Sequence, residues 1–281
     1  MIHYDEYLDK CGSRRAAAEL ALFRSFYSTP ERYREFLYSA YYNNKPSSQI
    51  INSLNKQERR LYKDFIQSHA QRIKAIEKVL KASTTEYILD IGCNVGTFVF
   101  HSSKKGAMAY GIDLNYNSLK TAKEILTEYA GGWHLSCQNA TALSFKKTSF
   151  HKVVAADFYE HLDEKDKIKV TKEVHRVLRC QGIFIIHTDN FYRHTLSLYL
   201  RKLIALISLQ NPRSLSIPFP ETHIGVSTAR NLMNIFQQTG FKIVDIIYLP
   251  GRFFIDRILV YIPLFKNLVA SGFIIIAKKN A

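Results

Sequence analysis

The chain has 281 residues, 47% of them hydrophobic, which supports a packed core and excludes a disordered polar chain. Its formal charge of +15 is uneven: residues 83–187 carry 13 basic and 11 acidic side chains, residues 1–82 carry 15 and 9, and residues 188–281 carry 11 and 4. Cys11, Cys93, Cys137 and Cys180 lack metal-ligand or disulfide-framework spacing, and the MIHYDEYLDK start is too polar for a signal peptide. No uncharged apolar run reaches the ~18 residues a bilayer span needs, so a reduced, cytoplasmic setting is expected.

Residues 1–82 show no convincing strand. Arg14–Tyr27 and Asn55–Lys81 read as helices separated by a polar break at Asn43–Ser48, forming a helical N-terminal extension. From Tyr87 the pattern alternates. Apolar runs at Tyr87–Ile91, Met108–Ile112, Trp133–Gln138, Lys152–Ala156 and Gly182–His187 read as strands. Helices are expected at Thr97–Lys104, Ser118–Tyr129 and Asp163–Arg179, the last with acids in its first turn, bases in its last and Gly182 beyond. Such alternation predicts an α/β domain over residues 83–281, with a parallel sheet and ligands at the carboxyl ends of its strands.

Residues 188–227 interrupt the alternation. Leu196–Gln210 is apolar with Arg201 and Lys202 embedded, and a proline-rich turn follows from Pro212 to Pro220. A helix Ser227–Thr239, a strand Phe241–Leu249, a second apolar, cation-bearing stretch Arg252–Leu268 and a last strand Ser271–Ala277 complete the chain. The two apolar stretches have two readings. They form a lid or rest in a membrane interface with their cations snorkelling, or they are inserted helices that bury their apolar faces.

The first strand runs into Asp90 and a tight turn, Gly92-Cys93-Asn94-Val95-Gly96, which opens a helix. Glycines there let a ligand lie against backbone N–H groups, and Asp90 suits a cation or a ribose hydroxyl. The second strand closes on Asp113, placed to accept ribose hydroxyls. The third is followed by Asn139-Ala140 and the fourth by Asp157-Phe158-Tyr159-Glu160-His161-Leu162. Gly92-x-x-x-Gly96 is neither the G-x-G-x-x-G of dinucleotide sites nor a Gly-Lys-Ser/Thr phosphate loop.

With DIGCNVG (Asp90–Gly96), Asp113 and DFYEHL in place, the sequence resembles the class I S-adenosylmethionine-dependent methyltransferases, and DFYEHL is similar to the ubiquinone-type O-methyltransferases. The similarity covers roughly residues 85–190 and resumes at 221–250, where ETHIGVSTARNLMNIFQQTGF resembles a late helix of the small-molecule branch. Asn94 stands where that family has its middle glycine, which predicts a left-handed backbone at Asn94. The resemblance implies a Rossmann-like sheet, mostly parallel with the last strand antiparallel, and helical lid insertions at 188–227 and 252–268. It implies S-adenosylmethionine as cofactor. Asp90, Gly92, Cys93, Asn94 and Gly96 would surround its methionine end, Asp113 its ribose, Leu114, Asn139 and Ala140 its adenine, and Asp157 and Phe158 the floor near the sulfonium.

Methyl transfer from a sulfonium is an in-line displacement in which the protein aligns, excludes water and, where needed, deprotonates the acceptor. The base candidates are His161, His187 and His223; each could instead be structural, His161 as a helix cap and His187 as the end of a buried strand. No metal is expected, although Asp157, Glu160 and His161 match an acidic-x-x-Glu-His pattern that holds a divalent ion in the ubiquinone branch. The expected reaction is O-methylation of a small or amphipathic acceptor. The segment after the fourth strand lacks the Asn/Asp-Pro-Pro-Tyr/Phe of amine-methylating relatives, which disfavours nucleic acid. An RNA methyltransferase using the basic flanks and a catalytically silent cofactor-binding or assembly protein stay open as alternatives.

Overall fold

The computed structural model describes residues 14–129, 131–207, 223–251 and 254–280. Cys11, the polar N-terminal segment and the turn Pro212–Pro220 lie outside the described residues, as do the end of Leu196–Gln210 and the start of Arg252–Leu268. The chain divides into two units, one holding the described residues up to Lys78 and the other those from Val79 onward.

The first unit is helical: α1 (Arg14–Phe26), α2 (Pro30–Leu37), a π turn (Tyr38–Tyr42), α3 (Ser48–Asn52) and α4 (Lys56–Leu80). Thr29 starts α2 by accepting the Arg32 N–H at 3.2 Å, with Pro30 at the first helical position where its missing N–H costs nothing. The core is aromatic: Phe26 stacks on Phe36 at 4.5 Å, and Phe23 meets both edge-on at 5.8 Å. Tyr62, fully buried, places its hydroxyl 2.6 Å from Ser39 Oγ and accepts the Ser47 N–H at 3.2 Å. Helices α2 and α3 occupy the stretch between the two expected helices, and both are anchored by buried Phe36, Leu37 and Ile50.

The second unit is built on a seven-stranded sheet: β1 (Tyr87–Ile91), β2 (Met108–Asp113), β3 (Trp133–Cys137), β4 (Phe150–Ala156), β5 (Leu178–Asp189), β6 (Phe241–Leu249) and β7 (Gly272–Lys279). Their order is β3-β2-β1-β4-β5-β7-β6. The first five pair parallel, and β7 runs antiparallel to both β5 and β6. The mostly parallel α/β fold expected from the sequence is therefore present. Its strands are apolar runs because both faces of such a sheet are covered; Ile88, Leu89 and Ile91 of β1 and Ile185 and Ile186 of β5 are all buried. Helices α5 (Thr97–Lys104), α6 (Tyr116–Tyr129), α7 (Glu164–Val177), α8 (Phe191–Ile207) and α9 (Ala229–Gln238) follow successive strands, except that β3 runs on to β4 without one, and α8 and α9 both follow β5.

Three boundaries differ from the sequence reading. The expected helix Asp163–Arg179 starts with Asp163 as cap, accepting the Asp166 N–H at 2.7 Å, but ends at Val177. Leu178 instead pairs with Phe150, so Gly182 lies inside a long β5 rather than past a helix end. Helix α8 begins at Phe191, ahead of Leu196, because Asn190 accepts the Tyr192 N–H at 3.2 Å. The stretch to Leu268 is not one helix but two short ones, α10 (Phe254–Leu259) and α11 (Lys266–Val269).

Strand order reverses between β1 and β4, the switch point at which α/β sheets bind ligands. Because β7 is antiparallel to β5 and β6, the connections leaving β5 and β6 and the chain entering β7 all lie at this carboxyl edge.

Candidate cofactor and acceptor site

The β1–α5 loop is a run of left-handed turns: φ is +67° at Gly92, +47° at Asn94 and +80° at Gly96. Asn94 thus has the left-handed backbone its motif position requires. The Cys93 N–H donates to the Ile112 carbonyl at 2.9 Å and Gly96 N–H to the Cys93 carbonyl at 2.7 Å, folding the loop onto β2. Gly111 in β2 makes the close approach feasible, since a Cβ there would sit 2.8 Å from Cys93 Sγ. Cys93 is buried, and burial, then the charges of Asp90 and Asp113, raise its thiol pKa well above the ordinary value.

Asp90 is buried at the end of β1. Burial, then the neighbouring charge of Asp113, pushes its carboxyl well up, while the amides of Phe98 and Val99 at the start of α5 donate to it and pull the other way. Its Oδ2 is buried with no hydrogen-bond partner. Asp113 is stitched into the same loop, accepting the Asn94 N–H at 2.9 Å on one oxygen and the Asn115 N–H at 2.8 Å on the other. Each oxygen keeps a further lone pair for a ligand hydroxyl. Leu114 beside it is 69% exposed. Asn139 uses its amide oxygen on Thr141, accepting from the backbone N–H and the hydroxyl, both at 2.9 Å, and Ala140 is buried.

The other half of the edge comes from β4 and β5. Asp157 has φ +53° and its carboxylate lies 2.6 Å from Nδ1 of buried His187. The Phe158 ring lies over Gly92 so closely that a Cβ at Gly92 would overlap it. Glu160 is buried, and its carboxylate accepts the Thr188 hydroxyl at 2.8 Å. Burial, then the charges of Asp157 and Asp189, hold its pKa well above the usual carboxylate value.

His161 and His223, over 60 residues apart in sequence, meet edge to face with ring centroids 4.7 Å apart. The 223–227 segment is pinned there by two features the sequence reading missed. Gly225 donates its N–H to the Glu160 carbonyl at 2.9 Å, and a Cβ at that position would overlap the Leu162 carbonyl oxygen. Lys167 of α7, only 1% exposed, donates to the Gly225 carbonyl at 2.6 Å and to Ser227 Oγ at 2.7 Å. A lysine in an expected amphipathic helix gives no such signal; its burial depends on a carbonyl and a hydroxyl about 60 residues on. Among the described residues one metal-capable group emerges, Glu160, His161 and His223, with ligand atoms within 4.8 Å of one another. His223 stands in it where the sequence pattern offered Asp157, whose carboxylate faces His187 instead.

Burial, then the neighbouring His161, lowers the His223 pKa from 6.5 to about 4. The unfolded chain therefore takes up a proton on this side chain before the folded one does. Its contribution to stability is whole above pH 6.5, falls as pH drops toward 4, and changes no further below that. Urea midpoints across this interval should fall more steeply for the wild type than for His223→Phe. Equal slopes in the two proteins would remove His223 as the cause.

A groove of about 430 Å³, lined by Thr84–Tyr87, Gly106–Met108 and Gly131-Gly132, lies at the amino ends of β1 and β2. That is the opposite edge of the sheet from these side chains, so it is no part of the site.

Residues 88–182 match the methyltransferase domain family. That match runs from β1 into β5, about a third of the chain. An uncharacterized protein of Methanocaldococcus jannaschii is 30% identical over 158 residues, 55% of this chain and 57% of the relative, so the chain spans less than two thirds of that protein's length. A SAM-dependent methyltransferase from Methanosarcina mazei superposes with a TM-score of 0.54 at 22% identity, covering 72% of this chain and 96% of that one. The [4+2]-cyclase SpnF superposes with a TM-score of 0.55 at 14% identity, covering 76% and 83%. At these identities the superpositions speak to the fold alone.

The site fits S-adenosylmethionine, the cofactor that the sequence resemblance implies, in two respects. The unpartnered, buried Asp90 oxygen is an acceptor for a cationic ammonium, and the Asp113 carboxylate is held by the loop with capacity left for a ribose diol. The turn offers no lysine and no glycine triplet for a pyrophosphate.

Proposed function

We propose that this protein transfers a methyl group from S-adenosylmethionine to an oxygen of a small or amphipathic acceptor. The observation that carries the cofactor assignment is the Asp113 carboxylate stitched to the N–H of left-handed Asn94, beside a buried Asp90 oxygen with no partner. Bound there, S-adenosylmethionine supplies an electrophilic methyl group on a sulfonium.

The chain's own residues supply the rest. Asp113 fixes the ribose, and the backbone of Gly92 and Cys93 with Asp90 holds the ammonium and carboxylate end. Phe158 closes the floor over Gly92 and keeps water out. On the acceptor side, His223 stays neutral at neutral pH because its pKa is about 4, and His161 is its partner. An imidazole lowered to about 4 is neutral but a weak base, so the proton of an attacking hydroxyl is assigned to His161 beside it. A paired base of this kind favours an oxygen acceptor.

Titration calorimetry should show binding of S-adenosylmethionine and none of NADH; preference for NADH would overturn the assignment. With amphipathic phenols or alcohols as acceptors, S-adenosylhomocysteine should form, and His161→Ala should lower its rate by about 100-fold while leaving cofactor affinity unchanged. Binding without product from any hydroxyl acceptor would leave the silent cofactor-binding protein as the better reading.

A further inference from the structure

Helix α8 is apolar on its outward face as well as its inward one. Surface helices of globular domains turn an apolar stripe inward and a polar face outward. In α8, Leu198 and Ala205 are buried, but Leu203, Ile204, Leu206 and Ile207 are 54–74% exposed. The segment joining α10 to α11 repeats this, with Tyr261 82% and Leu264 76% exposed.

These are one surface, not two. Arg193 of α8 grips Asp256 of α10 with both guanidinium nitrogens, at 2.9 and 2.8 Å, and that carboxylate is buried. Asn190, at the root of α8, donates to the Asn267 and Ala270 carbonyls at 2.7 and 3.0 Å. Both stretches leave the carboxyl edge of the sheet, the edge that carries Asp157, His161 and His187.

Charge selects the occupant. Between Phe191 and Ile207 there is no acid, and between Phe254 and Val269 the one acid is Asp256, already clamped by Arg193. Lys202, Arg257 and Lys266 accompany the apolar side chains. A second copy of this chain, packed face to face, would set these cations against one another. An anionic lipid surface complements them, while the apolar side chains enter the acyl boundary and the cations stay at the headgroups. No described helix is long and apolar enough to cross a membrane.

We propose that the α8/α10–α11 face docks on an anionic lipid bilayer and that the acceptor is drawn from that bilayer; the second clause rests on the methyltransferase reading above. The full chain should float with vesicles of equal parts phosphatidylcholine and phosphatidylglycerol and remain at the bottom with phosphatidylcholine alone. Lys202→Gln should lower the partition coefficient about five-fold, as loss of one interfacial cation does. Leu203→Glu combined with Ile204→Glu should abolish flotation, and both positions are exposed, so an unchanged circular-dichroism melt is expected. A wild-type chain that stays at the bottom with anionic vesicles overturns the proposal, and so does flotation that the double variant leaves intact. Light scattering that shows a dimer split by the double variant, with no vesicle binding, would assign the face to a second copy. Calorimetry with S-adenosylmethionine on the same preparations separates the two readings, since cofactor binding without flotation fails only the docking surface.

Discussion

Asp113→Ala is expected to weaken S-adenosylmethionine binding about 100-fold by titration calorimetry, the largest effect of any single change on the cofactor side. A hydrogen bond to a charged acceptor contributes roughly 1.5–3 kcal/mol, and ribose offers two hydroxyls, so a loss of about 3 kcal/mol is the conservative expectation. The carboxylate also holds the Asn94 and Asn115 N–H groups, and without it the left-handed turn at Asn94 loses its tether. Asp113→Asn keeps one oxygen acceptor and should fall between the two, near 10-fold. Wild-type affinity in Asp113→Ala would place the ribose elsewhere and remove the basis of the cofactor assignment.

Gly225→Ala should be the most damaging change on the acceptor side. The added methyl would overlap the Leu162 carbonyl oxygen and stand 3.0 Å from the buried Lys167 ammonium, so backbone must move. That movement strips Lys167 of the Gly225 carbonyl and Ser227 hydroxyl that make its burial tolerable. We expect a loss of about 3 kcal/mol, or roughly 10 °C in Tm for a chain of this size, measured by thermal melts. His223 would leave His161, so in the protein that remains folded, turnover should fall at least about 10-fold with cofactor affinity near wild type. Parallel loss of cofactor affinity would mean the loop supports the whole edge rather than the histidine pair.

The backbone geometry of the proposed cofactor half is legible in the sequence because its signals are local. Asp90, Gly92, Asn94 and Gly96 lie within one turn, and the left-handed conformation follows from steric rules that act on single residues. Asp113 follows from where an apolar strand ends. The acceptor half was less legible because its contacts cross long stretches of chain. His161 and His223 are both base candidates from the sequence, but nothing in it announces that they meet, that Gly225 pins the segment, or that Lys167 is buried.

The misjudged end of α7 has the same origin. Val177, Leu178 and Arg179 fit a helix terminus, but pairing of Leu178 with Phe150 turns the chain into β5, and Lys279 from the last strand donates to the His175 and Leu178 carbonyls at 2.6 and 2.8 Å. Competition between a local ending and a distant strand is settled only when the sheet forms.

The molecule's proposed tasks are ordered along the chain. Everything proposed to hold the methyl donor comes from residues 90–158, and the two long connections proposed to meet the acceptor come after Asp189. Those connections start and end at register positions fixed by β5, β6 and β7, so their content can be exchanged without disturbing a single pairing between β1, β2 and β4. Transplanting the α8 and α10–α11 segments between relatives is therefore a route to new acceptor preference on an unchanged donor platform. Such an architecture lets selection retarget the reaction while leaving its chemistry alone.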